Sequence, residues 1–149
     1  MQSLFGGLIA VILLGVYVNL IRIAALIVDC SIRSGCDRYP VSIFNDQMAY
    51  TLSTIGGLVS ALVIAELAVT KPGDPPGAKL LGGSPSSIAL FTIKSVSVAY
   101  LLIWIGAGFW AFMISMYHPK VVPALDDLGH AWLGLAVAAA YAYFGLQRQ

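Results

Sequence analysis

Four long, nearly uncharged stretches constrain this chain more than any motif it carries. The first, residues 4–28, is interrupted only by Asn19 and Arg22. At a rise of about 1.5 Å per residue it is long enough for a hydrocarbon layer of roughly 30 Å. Further runs cover residues 48–69, 88–117 and 125–146, each bounded by helix breakers. The apolar residues are continuous within these runs, whereas a helix half in water would space them to give one oily and one wet face. Composition agrees: 59% of the 149 residues are hydrophobic and 10% charged, against about 25% charged in ordinary globular chains, and the mean hydropathy is +0.87. In lipid, backbone amides have no water to bond with and must be satisfied inside helices. The sequence therefore predicts an all-α fold, a four-helix transmembrane bundle of an integral membrane protein with no soluble domain, spanning residues 1–149. The alternative is three spans with a re-entrant segment.

The connections change character abruptly. No Lys or Arg precedes the first run and no small-residue cleavage site follows it, so it reads as a retained span and not a signal peptide. Residues 29–45 include Cys30, Arg33, Gly35, Cys36, Asp37, Arg38 and Pro40, which favour turns and water. Residues 71–87 include Pro72, Pro75, Pro76 and Pro85, whose missing N–H groups bar a continuous helix. The third connection, residues 118–123, is short and predicts antiparallel neighbours on either side of it. Lys71, Lys79 and Arg148 balance Arg33, Arg38 and Lys120 across the membrane, which ties the positive-inside count. Cys30 and Cys36 break the tie, because a disulfide between them would place their loop in an oxidising compartment and both termini in the cytoplasm. The competing reading is two free thiols, and the spacing is neither a usual zinc motif nor a redox Cys-x-x-Cys.

Lipid gives helices no hydrophobic reason to leave it for one another, so they associate where small residues at every fourth position allow close packing. Such stripes run through the second helix (Ser53, Gly57, Ala61, Ala65), the third (Ser95 and Ala99; Ala107, Ala111 and Ser115) and the fourth (Gly134, Ala138, Ala142). They predict a bundle with tight internal contacts, or faces turned to other subunits. More than one such face makes partners part of the expectation.

Arg22, Glu66 and Lys94 fall inside the apolar runs, where a charge near the bilayer centre costs about 2.5 to 3.5 kcal/mol on insertion scales. Glu66 and Lys94 come to similar depth if helices two and three are antiparallel neighbours, which predicts an ion pair. Arg22 is expected to meet Asp126 or Asp127 at the start of helix four. The competing reading is snorkelling of the long side chains to the headgroups. Gly15, Asn19, Arg22 and Asp29 share roughly one side of the first helix. That side is expected to face protein or water: helix four, or a common axis lined by several copies.

Asp126, Asp127 and His130 lie within about one helical turn and have the chemistry to bind a metal or relay a proton. Capping of the helix is the simpler reading, since acidic residues suit its positive N-terminal end and a metal site would need ligands not found at recognisable spacing. No nucleophile, base and orienting residue can be grouped, so no enzyme, cofactor or metal is expected. No basic patch suggests nucleic acid. Trp132, Tyr117, Tyr141 and Tyr143 suit membrane interfaces, while Trp104 and Trp110 lie deeper and are read as packing residues. The expectation is a small polytopic membrane protein acting as a non-catalytic, tightly packed subunit of a homo-oligomer or larger membrane complex. A pore or ion channel, including the holin kind, lined by the polar side of the first helix, ranks second, and a membrane enzyme using Asp126, Asp127 and His130 third.

Overall fold

The computed structural model describes residues 2–33, 36–69 and 87–145, with side chains described for 7–33, 36–68 and 95–144. Four helices dominate: α1 (Gln2–Ile32), α2 (Asp46–Val69), α3 (Ser87–Tyr117) and α4 (Pro123–Gly145), with one 3-10 turn at Val41–Ile43 between α1 and α2. Each helix begins one to two residues before its apolar stretch, because the flanking residues continue or cap it. Asn45 starts α2 by accepting the Met48 N–H on Oδ1 at 2.9 Å, which satisfies one of the amides that a helix N-terminus leaves open. Pro123 is the first residue of α4, where its fixed φ fits and its missing N–H is no loss.

Around the bundle the helices stand in the order α1, α2, α4, α3. Thus α1 packs on α2 and α3, and α4 packs on the same two, while α1 and α4 face one another across a diagonal, as do α2 and α3. The short connection makes α3 and α4 neighbours, as its length predicts. The long proline-rich connection joins helices across a diagonal, which a short turn could not do; its residues 70–86 lie outside the described ones.

Glycines set the closest approaches. A Cβ on Gly129 would lie 3.0 Å from the Phe112 Cα, so α3 and α4 touch backbone to backbone there. A Cβ on Gly108 would occupy the space of the Trp132 indole. A Cβ on Gly56 would lie 2.7 Å from Leu128 Cδ1 and 3.5 Å from Tyr17 Cε2, so α2 receives side chains from both α1 and α4 at this level. The interior is then filled by bulk: Tyr17, Ile21, Ile27, Leu52, Val59, Trp104 and Leu125 are all fully buried. Trp104 bridges the α2–α3 diagonal, its indole N–H donating to Ser60 Oγ at 3.1 Å, and its ring lies 6.0 Å from that of Trp132. Trp132 is thus an interior residue of the bundle, while Trp110, expected to pack against small residues of a neighbour, is 47% exposed on the outside.

Three of the helices, over Gly7–Ile32, Asp46–Ala68 and Ser95–Tyr117, are long and apolar enough to cross a membrane. The fourth, α4, has 23 residues but carries Asp126, Asp127 and His130 in its first two turns, and it is not among those three.

Candidate functional site

The ends of α1, α2, α3 and α4 nearest the first and third connections form one face of the bundle. Here Cys30 and Cys36 are joined in a disulfide, and Asp29 pairs with Arg33 one turn later at 3.1 Å, both side chains more than half exposed. Tyr39, Phe44 and Val121 pack on the same core that includes Val122 and Leu125. In that turn Lys120 adopts φ 72°, the left-handed region, and its N–H donates to Asp126 Oδ2 at 2.6 Å. A carboxylate that accepts a backbone amide stabilises a turn that a non-glycine residue otherwise resists. His130 Nδ1 lies 2.7 Å from the Asp126 carbonyl oxygen; a carbonyl only accepts, so Nδ1 carries the proton. The His130 ring also stands edge-on to Phe112. Asp126 and His130 are therefore engaged in turn and helix geometry. Among the described residues no group of three or more His, Cys, Asp or Glu side chains comes together to hold a metal ion.

Arg22 is exposed and makes no ion pair among the described residues. It does not meet Asp126 or Asp127, because α1 and α4 lie on a diagonal and both acidic residues sit at the far end of α4 from the middle of the bundle. For the same reason the polar side of α1 does not pack against α4. Glu66 is half-buried; the side chain of Lys94, its expected partner, lies outside the described residues.

What the structure brings together is a set of outer faces. On α1 the core side carries Leu14, Tyr17, Ile21, Ala24 and Val28, and on the opposite side Gly15, Asn19, Arg22 and Asp29 are exposed. Nothing lies within 4 Å of a Cβ built on Gly15. On α2 the core side carries Leu52, Gly56, Val59, Ser60 and Val63, while the small-residue stripe Ser53, Gly57, Ala61 and Ala65 is exposed along its whole length. Ser95 and Ala99 of α3 and Gly134 and Ala138 of α4 are exposed too, whereas Ala107, Ala111 and Ser115 are buried between α3 and α4. The inner contacts at Gly56, Gly108 and Gly129 were not singled out from the sequence, because what fills the space beside each of them comes from another helix. Comparison with protein-family models, with curated proteins and with solved structures finds no match to this chain.

Proposed function

We propose that this chain is a multi-pass integral membrane protein that crosses the bilayer four times and serves as a non-catalytic, tightly packed subunit of a larger membrane assembly. The observation that carries this reading is the contrast between a filled interior and uncovered outer faces. Tyr17, Trp104 and Trp132 fill the middle of the bundle, where the Tyr17 hydroxyl and the Trp132 indole N–H are buried without a hydrogen-bond partner among the described residues. Yet the spacing that promotes helix association in lipid lies on the outside of α2, and an intramembrane cation and amide lie on the outside of α1. Side chains of this kind facing lipid are unfavourable, and a neighbouring subunit is the means by which membrane proteins cover them.

The fourth span is supported by where α4 sits. It lies between α2 and α3 in the bundle, with Ala139, four turns in, still buried, so it follows two helices that are apolar enough to cross. Its acidic first turn and His130 then fall at the water boundary, on the same side as the disulfide. The disulfide favours that side being outside the cytoplasm, with both termini inside.

A second reading rests on the same α1 face. Copies that turned Asn19 and Arg22 toward a common axis would form a polar, cationic pore between subunits, since the interior of a single bundle is filled. Gentle detergent extraction followed by mass measurement separates the readings. A stable species with other membrane proteins supports the complex subunit. A ring of identical chains with conductance in planar bilayers that changes selectivity in Arg22→Ala supports the pore. A monodisperse monomer that behaves the same in detergent and in lipid sinks both.

A further inference from the structure

We infer that the outer face of α1 docks a transmembrane helix of a different protein, one that carries a carboxylate at the depth of Arg22. The inference rests on the membrane-subunit reading and names the partner's chemistry. The face combines three features on successive turns: Gly15, with open space where a side chain would stand; Asn19; and Arg22, both exposed. Together they provide close backbone approach, an amide able to donate and accept, and a positive charge with several donors.

Depth argues against the other ways of covering Arg22. It lies ten residues before the α1 end at Ile32, about 15 Å at 1.5 Å per residue. The Cα–Cβ bonds of a helix lean toward its N-terminus, so the Arg22 stem starts toward the middle of the span and away from the nearer water boundary. Reaching a lipid phosphate means turning back along the helix. A second copy of this chain does not supply the counter-charge either. In a parallel pair through α1, Arg22 meets Arg22 at one level. The nearest carboxylate on the face, Asp29, is seven residues further, about 10 Å along the axis, and is already bonded to Arg33. Asp46 begins α2 and Asp126 and Asp127 fall in the first turns of α4, all at the end nearest the disulfide. Glu66 lies twenty residues into α2, about 30 Å from that end and so about 15 Å past Arg22. The chain's own described acids bracket the Arg22 level without reaching it. An ion pair buried between helices in lipid is held by low dielectric and the absence of competing water, and the carboxylate that makes it has to come from elsewhere.

The test uses the full chain, labelled with a donor dye and reconstituted in zwitterionic phosphatidylcholine vesicles, with acceptor-labelled synthetic Leu/Ala transmembrane peptides as the probe. One peptide carries a single Glu placed about 15 Å from its matching end; others carry Leu there, Lys there, or Glu two turns away. Association tighter by tenfold or more for the matched Glu peptide over the Leu peptide is expected. Arg22→Leu is expected to abolish that preference, and Arg22→Glu to transfer it to the Lys peptide. Because Arg22 is exposed and away from the core, both variants should keep the thermal stability of the parent, and Asn19→Leu provides a milder change on the same face.

Three outcomes overturn the inference: equal binding of the Glu and Leu peptides; energy transfer between labelled copies of the chain that Arg22→Leu removes, which makes the face a self-interface; and an Arg22 effect that emerges only when phosphatidylglycerol is added, which makes it a contact with anionic lipid. Flotation of the vesicles separates these from failure of the membrane reading itself, in which case the chain does not float with the lipid at all.

Discussion

The α3–α4 hairpin and the outer side of α1 and α2 use the same kinds of residue for opposite purposes. Between α3 and α4, Gly108, Ala111, Ser115 and Gly129 are buried, and each glycine is matched by a partner that fills the space of its missing side chain. On α2, Gly57 and its stripe carry the same spacing but face away from the bundle, with nothing within 4 Å of a Cβ on Gly57. On α1, Gly15 is equally open. The difference teaches that small residues at four-residue spacing report that a helix face can be approached closely and not by whom. In one region the approach is completed within the chain; in the other the chain itself leaves the face uncovered.

The contrast can be broken from the inside first. Trp104→Ala empties the centre, and loss of its packing and its bond to Ser60 is expected to cost about 3 kcal/mol or more, read as a large fall in Tm in detergent. If Tm holds, the interior is not the closed region described here. Gly108→Leu forces a side chain into the Trp132 indole and is expected to cost about 1 to 3 kcal/mol by overpacking, whereas Gly57→Leu should leave the monomer within about 0.5 kcal/mol of the parent. The pair is the sharpest test: equal effects on Tm would erase the distinction between inner and outer glycines.

Reduction, or Cys30→Ser, opens a loop of a few residues and is expected to cost about 2 kcal/mol on the chain-entropy account of short loops. Protection of both thiols from maleimide until reductant is added checks the bond, and immediate labelling would refute it. Ser60→Ala removes one buried acceptor and should cost about 1 kcal/mol, measured by chemical denaturation in the same detergent. The smallest stability effect, that of Gly57→Leu, should be accompanied by the largest change in association state, seen as a shift in particle mass at unchanged Tm. A variant that alters neither leaves the α2 stripe without a role in assembly.

Much of the architecture is legible in residue order. The run lengths gave each helix within a few residues, since lipid-length apolar stretches broken by proline and glycine leave the backbone little choice. Which helices stand side by side was not legible. The expectation for Arg22 with Asp126 assumed a ring in chain order, and the observed order α1, α2, α4, α3 puts those two helices on a diagonal; that for Glu66 with Lys94 involves a side chain outside the described residues. Hydropathy carries no term for lateral order, because any apolar helix can face any other at nearly the same energy. The turn at Lys120 shows the same limit. Asp126 read from sequence as a cap residue near the helix start, and the structure adds that its carboxylate holds the Lys120 amide across the turn.

By itself, the amino-acid order determined that the chain is built from long apolar helices, where they break, and that Arg22 and Asn19 interrupt an otherwise oily helix. These are consequences of local composition and of the need to satisfy every backbone amide away from water. Only the tertiary structure decided that Arg22, Asn19 and the α2 stripe point outward and that Trp104 and Trp132 close the centre. A helix face is chosen by which bulky side chains fit into which neighbouring glycines, and that complementarity exists between helices and not along any one of them.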